Sequence, residues 1–177
     1  MRMRYVALLR GINVGGKTMM KMEELRTSFE ALGFTNVASY INSGNLAFDT
    51  VSTAEAKLTE KIEKKIENDF GRSVPVMVRQ QKDIERIMAE NPFTGEYESH
   101  KEMHVLFLKE EMPSEKRDQL LAAAVPPERF AVTAREIYCL LPMGVADSLL
   151  GKSFIEKKIK VAVTGRNWRT VGKLVKL

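Results

Sequence analysis

Gly11-Ile-Asn-Val-Gly-Gly-Lys-Thr18 has the spacing G-x-x-x-x-G-K-[ST] of a phosphate-cradling loop. In such a loop the glycines let backbone N–H groups point at phosphate oxygens, while Lys17 neutralises charge and Thr18 holds a magnesium ion. Asp49, at the end of an apolar run, offers that ion an acidic partner. Two further segments are rich in glycine, asparagine and arginine: Asn42-Ser-Gly-Asn45, and Thr164–Thr170 with Arg166, Asn167 and Trp168. Arg166 presents a planar fork to a phosphate or carboxylate. Asn167 can cap a helix and donate through its amide. Trp168, the one tryptophan, can stack a base or a sugar. Arg10 closes an apolar run and must meet a carboxylate, a carbonyl or a bound anion, because a guanidinium buried alone is costly.

Each feature also has a purely structural reading. Gly15-Gly16 and Ser43-Gly44 suit tight turns with positive φ, in which Asn13, Asn42 and Asn45 bond nearby backbone. Trp168, Val171 and Val175 have the spacing of a helix's core face. Other chemistries find little support. His100 and His104 are the only histidines and sit on a polar loop and a strand start, so neither a zinc site nor a serine or cysteine nucleophile finds its partners. Cys139 lies in an apolar strand and reads as a small core residue. No metal and no cofactor is expected, and no catalytic residue stands out.

The elements that must position these groups follow from periodicity. Arg4–Arg10 reads as a buried strand, and Met22, Leu25, Phe29 and Leu32 as a helix stripe stopped by Gly33. Residues 37–41 and 46–48 form a hairpin. Ser52–Glu55 has the form of a capping box ahead of Leu58, Ile62, Ile66 and Phe70, and 74–78 closes the set as a fourth strand. The order is βαββαβ. After a linker helix with Ile84 and Ile87 and a break at Asn91-Pro-Phe93, the order recurs. Its strands fall at 103–108, 130–133, 137–141 and 161–163, with helices at 113–124, 148–159 and 167–176. The expectation is an α+β protein of two fused ferredoxin-like subdomains, 1–80 and 81–177, the second including the linker helix and a C-terminal helix. The pattern lies in element order, without convincing residue-level identity between the halves. A hairpin after the first helix argues against a nucleotide-hydrolysing phosphate loop, which needs a parallel crossover there. In the simplest geometry of such a half, the loop at 11–18 and the hairpin turn lie at opposite ends of neighbouring strands, leaving the loop to face the last helix's start.

These blocks resemble the signature of domain-of-unknown-function family 1697. The matching residues are Arg10-Gly-Ile-Asn-Val-Gly-Gly16, Tyr40-Ile-Asn-Ser-Gly-Asn45, Asn91-Pro-Phe93, and Arg166-Asn-Trp168 with Thr170-Val171, in that order along the chain. The resemblance implies a bacterial-type cytoplasmic protein with two α+β subdomains, and brings no activity with it. Gly165 departs from the family, where a threonine is common, as do Met143 and Leu149, where polar residues are usual.

Composition sets the outer limits. With 177 residues, 44% hydrophobic and 29% charged, the chain is ordinary globular material, not a disordered or disulfide-stapled one. Its single cysteine fits a reducing compartment. No apolar run reaches the roughly 18 residues of a membrane span, and Tyr5–Leu9 is too short for an export signal, so a cytoplasmic location without membrane is expected. The net charge of +5 divides into +3 over residues 1–80, −5 over 81–150 and +7 over 151–177.

The leading expectation is therefore a site for a small phosphate-bearing or other anionic ligand, formed by Arg10, Asn13, Gly15, Gly16, Arg166 and Asn167. Lys17, Asn42, Ser43, Asn45, Trp168 and Thr170 are secondary candidates. One alternative is a nucleic-acid-binding module using the basic terminal segment, although only Tyr40 and Phe48 offer aromatics on the first hairpin. Another is a structural or interaction protein whose loops bind no ligand. The oligomeric state is left open.

Overall fold

The structure, a computed structural model, describes residues 1–16 and 18–177. It divides into two compact units, Met1–Ile87 with Lys173–Leu177, and Met88–Gly172.

In the first unit, β1 (Arg2–Leu9) is apolar on both faces because both are buried: Tyr5 through Leu9 have no solvent exposure. It pairs antiparallel with β3 (Asn45–Val51) on one side and β4 (Val76–Gln80) on the other. β2 (Thr35–Tyr40) forms the far edge, giving the order β2-β3-β1-β4. Helices α1 (Met22–Ala31) and α2 (Glu55–Phe70) bury Leu25 and Phe29, and Leu58, Ile62 and Ile66, in a core with Tyr5, Ala7, Leu9 and Phe48. Each such side chain contributes about 1.5–3 kcal/mol by leaving water. Phe34 stacks on Phe48 at 4.2 Å, with Phe29 edge-on at 5.6 Å. Helix α3 (Gln81–Ala89) follows β4 directly. The capping box expected at Ser52–Glu55 does not form. Ala54 stands at the N-cap, and Glu55 Oε1 instead accepts Gln80 N at 3.2 Å, where the end of β4 needs an acceptor.

The outer end of this sheet is held by charge. A bulge in β2 puts Asn36 at φ 50°, from where Nδ2 donates to Asp49 Oδ2 at 2.7 Å, while Arg4 Nη1 meets Oδ1 at 2.8 Å. Partial burial acts to raise the Asp49 pKa. The hydrogen bonds from Asn36 and Arg4, with the Arg4 and Arg2 charges, outweigh it and hold the carboxyl below its ordinary value. A depressed carboxyl stabilises the fold above its unfolded pKa, and that stability is lost as pH falls through the folded one. Asp49→Asn is expected to cost about 1 kcal/mol at pH 7. In urea unfolding, the gap between wild type and variant should close as the pH is taken below that of an ordinary carboxyl. A gap that persists in acid would show the charge to be irrelevant.

The second unit repeats the topology. β5 (Met103–Leu108) lies between β7 (Glu136–Leu140) and β8 (Val163–Asn167), with β6 (Arg129–Val132) outside, in the order β6-β7-β5-β8. Helix α4 (Ser114–Ala123) makes the first crossover and buries Leu120. The second crossover corrects the expected helix at 148–159. Turns occupy its first part, and only Ile155–Ile159 is helical, as a π-helical turn. Ser148 Oγ donates to Val145 O at 2.6 Å and accepts from Leu150 N at 3.2 Å, offering the backbone bonds that compete with a helix. Gly151 packs so close to the Val145 and Ala146 carbonyls that no Cβ would fit. The final strand is also longer than expected, so helix α5 (Trp168–Leu174) begins one residue late.

The two units carry similar residues on one pair of corresponding strands. Val76-Met-Val-Arg-Gln80 and Val163-Thr-Gly-Arg-Asn167 occupy β4 and β8, each leading straight into a helix. Arg79 pairs with Val6 and Gln80 with Tyr5; Arg166 pairs with Val105 and Asn167 with His104. Both arginines are buried, at 1% and 7% exposure.

Candidate functional site

The shared frame shows which part of the first unit is additional. Leu9 N donates to Gly44 O (2.9 Å) and Arg10 N to Pro75 O (3.0 Å); Leu108 N to Arg135 O (2.8 Å) and Lys109 N to Ala162 O (3.2 Å) repeat the pattern. From these matching points the second unit reaches α4 through five residues, 109–113, whereas the first takes twelve, 10–21, to reach α1. Joining strand to helix does not require that length.

One side chain organises the longer loop. Asn13 Nδ2 donates to Met20 O (2.9 Å) and Asn42 O (2.7 Å), while its Oδ1 accepts Met20 N (2.7 Å). This assigns the carboxamide, since a flipped group would set its oxygen against two carbonyls. Asn13 N also donates to Thr18 O at 3.1 Å. Loop and hairpin turn thus meet, which corrects the expectation that they lie at opposite ends. β1 and β3 are antiparallel, so the end of β1 lies beside the start of β3. Gly15 and Gly16 are exposed, with φ of 57° and 75°, and a Cβ on either would meet nothing within 4 Å. Glycine is therefore there for its backbone conformation, not for lack of space. Among the described residues, neither Gly15 N nor Gly16 N meets a backbone acceptor. Arg10 is half-buried at the root of the loop, and Lys17 lies outside the described residues. In the turn, Asn42 is exposed, and buried Asn45 donates to Tyr40 O (3.1 Å) and to Ser43 Oγ (2.9 Å). Asp49, the acid considered for a metal, is engaged by Arg4 and Asn36. No metal-ligating cluster of three His, Cys, Asp or Glu occurs among the described residues.

The candidates near the C-terminal end belong to the second unit. Arg166 Nη1 donates to Thr164 Oγ1 (2.7 Å) and Gly165 O (2.9 Å). Burial pushes its pKa down to about 10, which leaves it protonated at neutral pH. Asn167 caps α5 as expected, its Oδ1 accepting Thr170 N at 2.9 Å. Trp168 is half-buried and meets Tyr97 edge-on, with centroids 6.1 Å apart. Asn91 Nδ2 reaches Tyr97 Oη at 3.5 Å, and its Oδ1 accepts Phe93 N at 3.0 Å. Tyr97 therefore joins the Asn-Pro-Phe and Arg-Asn-Trp blocks. Sequence reasoning missed it; its only signal was being the lone aromatic in the polar stretch 94–101. Burial, with His100 nearby, lowers the His104 pKa, and burial raises that of the Cys139 thiol, which suits neither a cationic histidine nor a thiolate nucleophile.

A family model, "Protein of unknown function (DUF1697)", matches residues 3–138. The chain belongs to that family. Both blocks of the first unit, Arg10–Gly16 and Tyr40–Asn45, fall inside the matched range, as does Asn91–Phe93. Among solved structures, this DUF1697 chain is similar to the conserved bacterial protein SP0830 from Streptococcus pneumoniae. The two are 24% identical, with a TM-score of 0.80 over 99% of this chain and 98% of that one. At that identity the likeness speaks for the fold. No curated protein matches the chain in sequence. Among the described residues, no helix is long and apolar enough to cross a membrane.

Proposed function

We propose that this protein binds a small phosphate-bearing or other anionic ligand at the loop 10–20 and the adjoining turn 41–45 of its first unit. Each unit is read as a ferredoxin-like subdomain, on its βαββαβ order and its 2-3-1-4 strand order. The carrying observation is the loop itself. It exceeds what its counterpart needs, its shape is held by Asn13, and it leaves Gly15 and Gly16 exposed. Segment 10–21 contributes Arg10, Lys17 and Lys21 and no carboxylate, so its charge favours an anion. Arg166 donates to Thr164 and Asn167 accepts from Thr170, and in this reading they order β8 and α5.

Titration calorimetry with pyrophosphate tests the reading, on wild type, Arg10→Ala and Arg166→Ala. Saturable binding to wild type, weakened at least tenfold by Arg10→Ala and by less than twofold in Arg166→Ala, is expected. Raising the salt from 50 to 200 mM should weaken a compact site only a few-fold, against the 10³–10⁵ losses of a nucleic-acid surface making several phosphate contacts. Equal loss in both variants would return Arg166 to the site. No binding of pyrophosphate by wild type would refute the reading.

A further inference from the structure

His104 is the second residue of β5, and its ring is held in a setting that suits only one of its charge states. Of its two ring nitrogens, Nδ1 is enclosed and meets no hydrogen-bond partner among the described residues. The strand register gives its neighbours. His104 stands opposite Cys139 of β7 on one side and opposite Asn167 of β8 on the other. Directly opposed residues of an antiparallel pair point to one face, with Cβ atoms about 4.5–5.5 Å apart, so the three side chains form a row. Both neighbours are engaged elsewhere. Asn167 Oδ1 accepts Thr170 N at 2.9 Å, and Cys139 Sγ is directed at Ile137 O, 3.6 Å away.

A neutral imidazole tolerates this and an imidazolium does not. With its proton on Nε2, the ring presents at Nδ1 only an idle lone pair. Protonation puts an N–H there without an acceptor, and a buried donor left unpaired is costly, the more so when charged. The charged groups of the neighbouring segments give no relief. His100 repels a second cation, and Lys101 beside it adds another positive charge. Glu102 Oε2 already accepts Glu98 N and Ser99 N. Glu128, the acid that bears on Cys139, accepts Val125 N and Leu149 N. Helix α5 carries Arg169 and Lys173 and no acid. Burial, with the charge of His100, accordingly holds the His104 pKa below its ordinary 6.5. The fold favours the neutral ring. That stabilisation is fully present above the ordinary value and is lost as the pH falls from there to the folded one.

We propose that His104 is a proton-operated latch on the start of helix α5. When protonated, its Nδ1–H takes the side-chain oxygen standing opposite, Asn167 Oδ1. Asn167 turns to meet it and gives up Thr170 N, so the cap is released and β8 loosens where it runs into α5. The two states differ in which donor holds that one oxygen. Trp168, next in the chain and edge-on to Tyr97 at 6.1 Å, lies where the change occurs.

Two measurements on the full chain test the latch: the fluorescence of Trp168, the one tryptophan, titrated from pH 8 to 5, and the exchange protection of Thr170 N. His100 and His104 are the only histidines, so variants at these two positions separate the titrating groups. In wild type the fluorescence should change in a one-proton transition below pH 6.5. The Thr170 N protection factor should fall about three- to tenfold between pH 7.5 and 5.5, while amides of β1 in the first unit keep theirs. His104→Gln, which takes up no proton, should abolish both changes. His100→Gln should keep both with a higher midpoint, since a neighbouring positive charge is gone. Asn167→Asp still caps α5 but offers the imidazolium a carboxylate, so its midpoint should also exceed that of wild type. A transition that persists in His104→Gln, or that His100→Gln abolishes, overturns the proposal. So does Thr170 protection that is indifferent to pH in wild type. An Asn167→Asp midpoint no higher than that of wild type overturns it as well, because His104 would then not engage residue 167.

Discussion

Gly44→Ala should destabilise the first unit by about 2–5 kcal/mol, one of the two largest effects expected of a single substitution here. Two costs add. At φ 91° an alanine is in a conformation that costs an L-residue about 1–2 kcal/mol. Its Cβ would also stand 2.7 Å from Leu9 Cβ and 3.1 Å from Ile12 Cδ1. Leu9 cannot yield, because its atom in contact is a Cβ fixed to the backbone of β1, and Leu9 N is the donor to Gly44 O. Forcing extra volume into such a contact costs about 1–3 kcal/mol more. Gly71→Ala is the control. Gly71 also has positive φ, 67°, at the C-cap of α2, but a Cβ there meets nothing within 4 Å. It should cost only about 1 kcal/mol. Urea unfolding of the two variants separates conformation from crowding. Equal losses would mean that Gly44 is required only for its φ and that the turn does not press on β1.

That contrast marks the boundary of what could be read from the chain alone. Strand β1 was legible because a run of apolar residues without alternation has few other uses, and α2 because Leu58, Ile62 and Ile66 recur at one helical face. The βαββαβ order in each half followed from such periods. The helix expected at 148–159 failed because local side-chain and turn bonds around Ser148 and Gly151 outcompete a weak apolar period. The repeat of Val-x-x-Arg with Gln or Asn was overlooked because the two strands differ at their middle positions. Only the cross-strand register brings Arg79 and Arg166 into correspondence. In the candidate site, Gly15, Gly16 and Asn13 were recognisable by type. The meeting of loop and turn was not, since it depends on which strand ends lie side by side. Ile41, in the same turn, gave no signal: its φ of 48° is a dihedral angle that no residue pattern announces.

Asn13→Ala tests the knot directly, and its expected cost is about 3 kcal/mol. The substitution removes two donated hydrogen bonds and one accepted bond, each worth about 0.5–1.5 kcal/mol net, and leaves Met20 N without its acceptor. It also puts alanine at φ 54°, where asparagine is among the few side chains at ease. Asn13→Asp separates the two kinds of contact. The carboxylate still accepts Met20 N, but it faces the Met20 and Asn42 carbonyls with no proton to offer, so its destabilisation should be at least as large as that of alanine. Amide exchange locates the damage. Met20 N should lose protection by a factor of ten or more in Asn13→Ala and keep most of it in Asn13→Asp, while amides of β5 and β7, in the second unit, stay unchanged. If both variants exchanged alike at Met20, the Oδ1 bond would not be holding the loop. If neither variant lost stability, the loop would be held by its backbone alone.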